Sequence, residues 1–249
     1  MSQPDDWTAV SVRSRNLARP SLRPGQVLYV IGDIHGHAEL LGALLDAIRQ
    51  DMRRLPEAAG GELILLGTYV DIGPDSRGVV DQVLHASKCG ELGPVTALKG
   101  DHETAMLRFL QDAPGSIDWR RMGAGATLGS YGVPTPARVS SNDMWARARS
   151  HLLEALPRDH LSFFLGLVPS ATRGDYVFAN GRLSFVSAPA DGRSRSARLQ
   201  QFMSKFAPSA TPVGPSERSA PRFGPGFGRA EPVAFKLEGA QRTLLAPRR

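Results

Sequence analysis

Three observations predict an α/β fold built on a parallel core sheet. Short β-rich runs alternate with helix-periodic segments between residues 26 and 111, a glycine closes each run, and the connections are short. The chain has 249 residues, 41% of them hydrophobic. That is enough for one large domain with its own buried core.

Residues 1–24 are polar and irregular, with Pro4, Pro20 and Pro24, and are expected to form a flexible leader. A single domain is expected over 25–245. Its first strand is Val27–Ile31, ended by Gly32. Leu41, Leu44, Leu45, Ile48, Met52 and Leu55 recur at helical spacing, which predicts a helix over 38–55 with one apolar face. Glu62–Leu66 and Pro94–Leu98 are the next strands, closed by Gly67 and Gly100. Helices over 77–86 and 102–111 follow them, the first with Asp75 or Ser76 available as its cap. Residues 112–132 carry five glycines (Gly115, Gly123, Gly125, Gly129 and Gly132) and read as a loop. Residues 143–167 read as helix split at Pro157, Tyr176–Phe178 as a strand, and Val233–Leu237 as a last strand. Six prolines and four glycines within 207–232 make regular structure doubtful, so 193–232 is expected to be weakly structured and basic.

The net charge is +6, but residues 1–192 carry −2 and residues 193–249 carry +8. The excess therefore sits in a C-terminal stretch, and no nucleic-acid motif accompanies it. Nucleic acid is accordingly not expected as a partner. The single cysteine, Cys89, excludes a disulfide framework and a Cys-based zinc site. Together with the lack of an apolar signal segment it points to the cytoplasm. Apolar runs such as Val27–Ile31 are far shorter than the ~20 residues of a membrane span.

Loops leaving the carboxyl ends of parallel strands gather on one sheet edge, where ligands bind. The loops beginning at Gly32, Gly67 and Gly100 should therefore form one site. The first reads Gly32-Asp33-Ile34-His35-Gly36. Its carboxylate and imidazole, at i and i+2 past a strand, point the same way and supply half of a divalent-metal site. The plainer alternative is a capped helix start with a surface histidine. The second loop reads Gly67-Thr68-Tyr69-Val70-Asp71-Ile72-Gly73-Pro74-Asp75-Ser76, and the third Lys99-Gly100-Asp101-His102-Glu103.

In this order and spacing the three loops resemble the GDxHG, GDxxDRG and GNHE signatures of the metallophosphoesterases of the phosphoprotein phosphatase (serine/threonine phosphatase-like) family, in its bacterial form. Thr127-Leu128-Gly129-Ser130-Tyr131-Gly132 resembles the family's TLxSYG segment, and the likeness spans about residues 26–183. The resemblance implies a calcineurin-like β-sandwich of two mixed sheets flanked by helices. It also implies two Mn-, Fe- or Zn-type ions ~3.5–4 Å apart sharing a hydroxide nucleophile. Substrates would be a phosphorylated protein or a small phosphomonoester.

Carried over by position, Asp33 and His35 match metal ligands, and His102 with Asp71 matches the general-acid pair. The bridging aspartate falls on Thr68, the asparagine of GNHE on Asp101, one ligand histidine on Asn180 and the last on Ala210. The phosphate-gripping arginine falls on Ile72. Three ligand types and the clamp are lost, so the expected protein is a pseudophosphatase, with no metal or at most one weakly bound divalent ion. Two alternatives are an active phosphomonoesterase using Asp33, His35 and Asp101 around one ion, and an anion or nucleic-acid binder acting through the basic C-terminal stretch. Plainer roles are also open: Asp101 as a helix cap, His102 in loop packing, Asp71 in the Gly73-Pro74 turn, and His160 as a satisfied structural histidine.

Overall fold

The computed structural model describes residues 7–11, 22–56, 59–111, 117–137, 140–174, 176–180, 182–185, 234–238 and 241–247. In chain order the elements are β1 (Trp7–Ser11), β2 (Gln26–Ile31), α1 (Ala38–Met52), β3 (Gly60–Leu65), α2 (Ser76–Cys89), β4 (Val95–Ala97) and α3 (Asp101–Gln111). They continue with α4 (Ile117–Arg121), α5 (Ala124–Ser130), α6 (Asn142–Ala155), α7 (Arg158–Gly166), β5 (Ser170–Arg173), β6 (Tyr176–Ala179), β7 (Arg182–Phe185), β8 (Ala234–Glu238) and β9 (Gln241–Pro247).

Side-chain alternation along β2 and β3 decides what each face of the main sheet meets. Val27, Tyr29, Ile31, Leu63 and Leu65 face the helical layer and join Leu41, Leu44, Val79, Val80 and Phe109 in one core. Leu28, Val30, Ile64 and Leu66 face the other way and pack with Leu98, just beyond β4, and with Tyr176 and Phe178 of the second sheet. Strands buried on both faces need apolar residues at every position, which is why Val27–Ile31 reads as an unbroken run.

The main sheet has the order β1-β9-β8-β2-β3-β4, and the second the order β5-β6-β7. β2, β3 and β4 are parallel, as expected, whereas β8 and β9 run antiparallel, so the six-stranded sheet is mixed. The second sheet is antiparallel among the described residues. Two expectations are corrected here. Trp7–Ser11, placed in a flexible leader, pairs antiparallel with β9 from Trp7↔Pro247 to Ser11↔Thr243. The glycine-rich stretch 112–132, read as a loop, contains α4 and α5, because burial of Trp119 and Leu128 outweighs the low helix propensity of glycine. α2 is capped by Asp75, whose Oδ1 accepts from Gly78 N at 2.7 Å. The stretch expected to be weakly structured, 193–232, lies outside the described residues.

Polar ties lock the layers. Arg173 on β5 donates from Nε to both carboxylate oxygens of buried Glu62, each at 2.8 Å, joining the two sheets. Replacing it in Arg173→Met strands that carboxylate, and urea unfolding should show a loss of about 2 kcal/mol. On the far side, Asp51 of α1 accepts from Tyr29 Oη at 2.6 Å and pairs with Lys236 Nζ at 2.7 Å. Burial pushes its carboxyl upward, but hydrogen bonds from Lys236 and Tyr29 outweigh that and hold it below the ordinary value of 3.8. A depressed carboxylate contributes stability that is present in full above its unfolded value and is lost as pH falls through the folded one. Acid titration should therefore destabilise the wild type more steeply below pH 3.8 than Lys236→Met, measured by chemical denaturation at each pH.

Candidate active site

The three strand-end loops interlock through backbone before any side chain is considered. Ile34 N and His35 N both donate to Thr68 O, at 3.0 and 2.7 Å, and Gly36 N donates to Tyr69 O at 2.9 Å. Gly36 lies at φ +66, and a Cβ there would sit 2.8 Å from Gly73 O, so the first two loops touch where only glycine fits. Four non-glycine residues of these loops adopt left-handed backbone: His35, Thr68, Asp71 and Ile72, at φ 50, 61, 72 and 67. For β-branched Thr68 and Ile72 this costs on the order of 1–3 kcal/mol each.

Two buried carboxylates hold that shape. Glu103, fully buried on α3, accepts from Gly100 N (2.8 Å), Thr68 N (3.0 Å), Tyr69 N (2.7 Å) and Val70 N (3.4 Å). Burial still drives its carboxyl upward, against the pull of those donors. Asp71, equally buried, accepts from Thr127 Oγ1 at 2.6 Å and from Trp119 Nε1 at about 3 Å, and pairs with His102 Nδ1 at 2.7 Å. Its own N–H is held by Thr127 Oγ1 (2.9 Å) and Ser76 Oγ (3.2 Å).

A carboxylate only accepts, so the proton between Asp71 and His102 belongs to Nδ1 of the imidazole. Burial lowers the affinity of His102 for a second proton, but the hydrogen bond and charge of Asp71 outweigh burial and raise it. That arrangement readies His102 Nε2 for proton transfer. His35 stands edge-on to His102, ring centroids 4.8 Å apart. Burial, reinforced by His102 and His37, lowers its pKa to about 4, so it is neutral at pH 7. Asp33 is pushed upward, first by burial and then by Asp101, with the Thr68 hydrogen bond and His102 opposing.

The structure thus brings Asp33, His35, Thr68, Asp71, His102 and Asn180 into one cluster. Asp101 is the exposed first residue of α3, and its N–H contacts Asn180 Oδ1 at 3.4 Å. Ile72 is 54% exposed. Ala210 lies outside the described residues. His160 is a satisfied buried histidine: Tyr131 Oη lies 2.9 Å from Nδ1, and Asp81 Oδ1 lies 2.9 Å from Nε2. Sequence reasoning missed the supporting roles of Glu103, Thr127, Trp119 and Ser76. Thr127 had a signal, since it stands in the TLxSYG-like segment.

Donor chemistry tests whether these residues suit a pair of cations. Asp33 Oδ1 and His35 Nδ1 are buried without hydrogen-bond partners, as free ligand atoms would be. Their neighbours are occupied otherwise: Asn180 Nδ2 donates to Thr68 Oγ1 at 3.2 Å and to Leu66 O at 2.9 Å. Among the described residues no three His, Cys, Asp or Glu side chains form a cluster able to hold a metal ion. Among the described residues, two free donors do not fit two cations.

A mixed sheet covered on one face by helices and on the other by a second sheet thus presents carboxylates and imidazoles on its strand-end loops. A model of the calcineurin-like phosphoesterase family matches residues 27–200, and the chain belongs to that family. A solved structure provisionally assigned as a diadenosine tetraphosphatase is similar at 19% identity and a TM-score of 0.37, over 72% of this chain. The chain spans 61% of that structure's length. No curated protein matches the chain. No helix among the described residues is long and apolar enough to cross a membrane.

The Glu103 arrangement yields a direct expectation. Glu103→Gln replaces an acceptor-only group by one that turns an NH₂ toward backbone donors. Unfolding measurements should show a loss of about 3 kcal/mol.

Proposed function

We propose that this chain is a phosphatase-like protein of the phosphoprotein phosphatase branch, bacterial type, whose dimetal centre is dismantled. It is a pseudophosphatase acting in the cytoplasm as a binding or regulatory module. One observation carries the reading. Thr68 and Asn180 stand where the resemblance calls for a bridging carboxylate and a histidine, and their side chains are hydrogen-bonded to each other. Neutral hydroxyl and amide groups cannot balance two dications. Ile72 further leaves the mouth of the site without the guanidinium that would grip a phosphoryl group bidentately. Binding of at most one weakly held divalent ion, at Asp33 and His35, is compatible with the two unpartnered atoms there.

The retained Asp71–His102 pair favours a second reading, in which a reduced site still hydrolyses a phosphorylated protein or small phosphomonoester. Elemental analysis of the purified protein and turnover of a chromogenic phosphomonoester with Mn²⁺, Ni²⁺ or Mg²⁺ separate the two. The expected outcome is far less than one metal per chain and no turnover. Two metals per chain, or metal-dependent turnover lost in His102→Ala, would overturn the pseudophosphatase. In the combined variant Thr68→Asp, Ile72→Arg, Asp101→Asn, Asn180→His and Ala210→His, both metal content and turnover are expected to rise.

A further inference from the structure

We infer that Asn180 is the keystone of the site: its carboxamide fastens three strand-end loops by hydrogen bonds, so that they keep their shape without any bound ion. The proposal rests on the metal-free reading above. It stands on the following contacts.

Asn180 follows β6, in the second sheet. Its Nδ2 donates to Leu66 O at 2.9 Å and to Thr68 Oγ1 at 3.2 Å, both in the loop after β3. Its Oδ1 receives the N–H of Asp101, at the start of α3, at 3.4 Å. The orientation of the amide is forced. Leu66 O can only accept and Asp101 N can only donate, so nitrogen faces the first and oxygen the second. The backbone is shaped around this group. A Cβ on Gly67 would lie 2.7 Å from Nδ2, and one on Gly100 would lie 2.8 Å from it. Both neighbours must be glycine for the carboxamide to enter. The string continues beyond Asn180, because Thr68 O accepts from Ile34 N at 3.0 Å and from His35 N at 2.7 Å in the loop after β2. A neutral imidazole, with one donor and one acceptor, could not serve Leu66 O, Thr68 Oγ1 and Asp101 N together. The amide thus joins the second sheet to the loops after β3 and β4, and through Thr68 to the loop after β2.

The experiment compares wild type, Asn180→Asp and Asn180→Ala by thermal unfolding, each with EDTA and with added Mn²⁺, together with amide hydrogen exchange. Asn180→Asp keeps size and shape but turns an acceptor toward Leu66 O. Its Tm is expected to fall by about 4–8 °C. In Asn180→Ala, which removes the acceptor of the Asp101 N–H, that amide should exchange about tenfold faster, while the amides of β2 keep their protection relative to global stability; Asn180→Asp keeps an oxygen facing it and tests the Leu66 contact alone. Unfolding at the wild-type temperature with unchanged exchange at Asp101 would overturn the keystone. Should Asn180→Ala fail to fold, the isosteric Asn180→Asp decides the question by its unfolding temperature, a wild-type Tm there overturning the keystone. For the wild type, Tm in EDTA and in Mn²⁺ is expected to agree within about 1 °C. A fall of several degrees in EDTA would overturn the claim that the loops need no ion, and with it the metal-free reading. Loss of stability in the Asn180 variants alone would leave both standing.

Discussion

Burial of the Glu103 carboxylate inside a ring of backbone N–H groups is the interaction on which the site depends. The loop after β3 leaves the sheet through left-handed backbone at Thr68, Asp71 and Ile72, a path L-residues resist. Such a path turns successive N–H groups inward, and they need an acceptor. Glu103 supplies one carboxylate for Gly100, Thr68, Tyr69 and Val70. Hydrogen bonds to a charged acceptor are each worth about 1.5–3 kcal/mol, comparable with the strain they offset. Because Glu103 belongs to α3, the same bonds weld the loop after β3 to the helix after β4. His102, one residue earlier on that helix, is thereby delivered to Asp71.

Asp71 is a second hub, and its satisfaction explains why α4 and α5 matter to the site. Its carboxylate takes Thr127, Trp119 and His102, and its N–H takes Thr127 and Ser76. α5 is in turn pinned from behind: Tyr131 caps its C-terminal end and reaches His160 on α7, which reaches Asp81 on α2. The imidazole at His102 is therefore oriented by residues from four helices, none of which need touch a ligand.

How much of this was legible in the sequence follows from the kind of interaction involved. The elements from β2 to α3 follow hydrophobic periodicity, a local signal, and their boundaries shift by only a few residues, as where α1 stops at Met52 rather than near Leu55. That the loops carrying Asp33, His35, Asp71 and His102 share one edge was legible because strand-end loops must meet there, whereas the pairing of Asp71 with His102 was legible only through the family resemblance. The pairing of Trp7–Ser11 with β9 was not, since it joins the two ends of the chain and no local pattern announces a distant partner. α4 and α5 were hidden by glycine content, although Gly123 sits at a helix start with φ 106 and Trp119 is buried against Phe109. Glu103 stands in the third loop motif, but its role was hidden for a deeper reason. Its partners are backbone N–H groups, which every residue except proline carries and no sequence letter records.

On the proposed reading, the neutral side chains at Thr68 and Asn180 make physical sense only as a pair. A carboxylate at position 68 would lie beside Asp33, itself already pushed upward by burial and by Asp101. Two such charges 4 Å apart repel by about 4 kcal/mol at an effective dielectric of 20, and a cation between them is what removes that cost. Without the cation a second carboxylate is a liability, whereas a hydroxyl adds no charge there. The Thr68 hydroxyl oxygen in turn takes a donor from the carboxamide of Asn180. An imidazole at position 180 would leave Leu66 O or Thr68 Oγ1 unserved. On this logic, a centre that has lost its bridging charge is most stable with these two neutral side chains in place. Restoring either ligand alone then destabilises the loops before it helps to bind a metal.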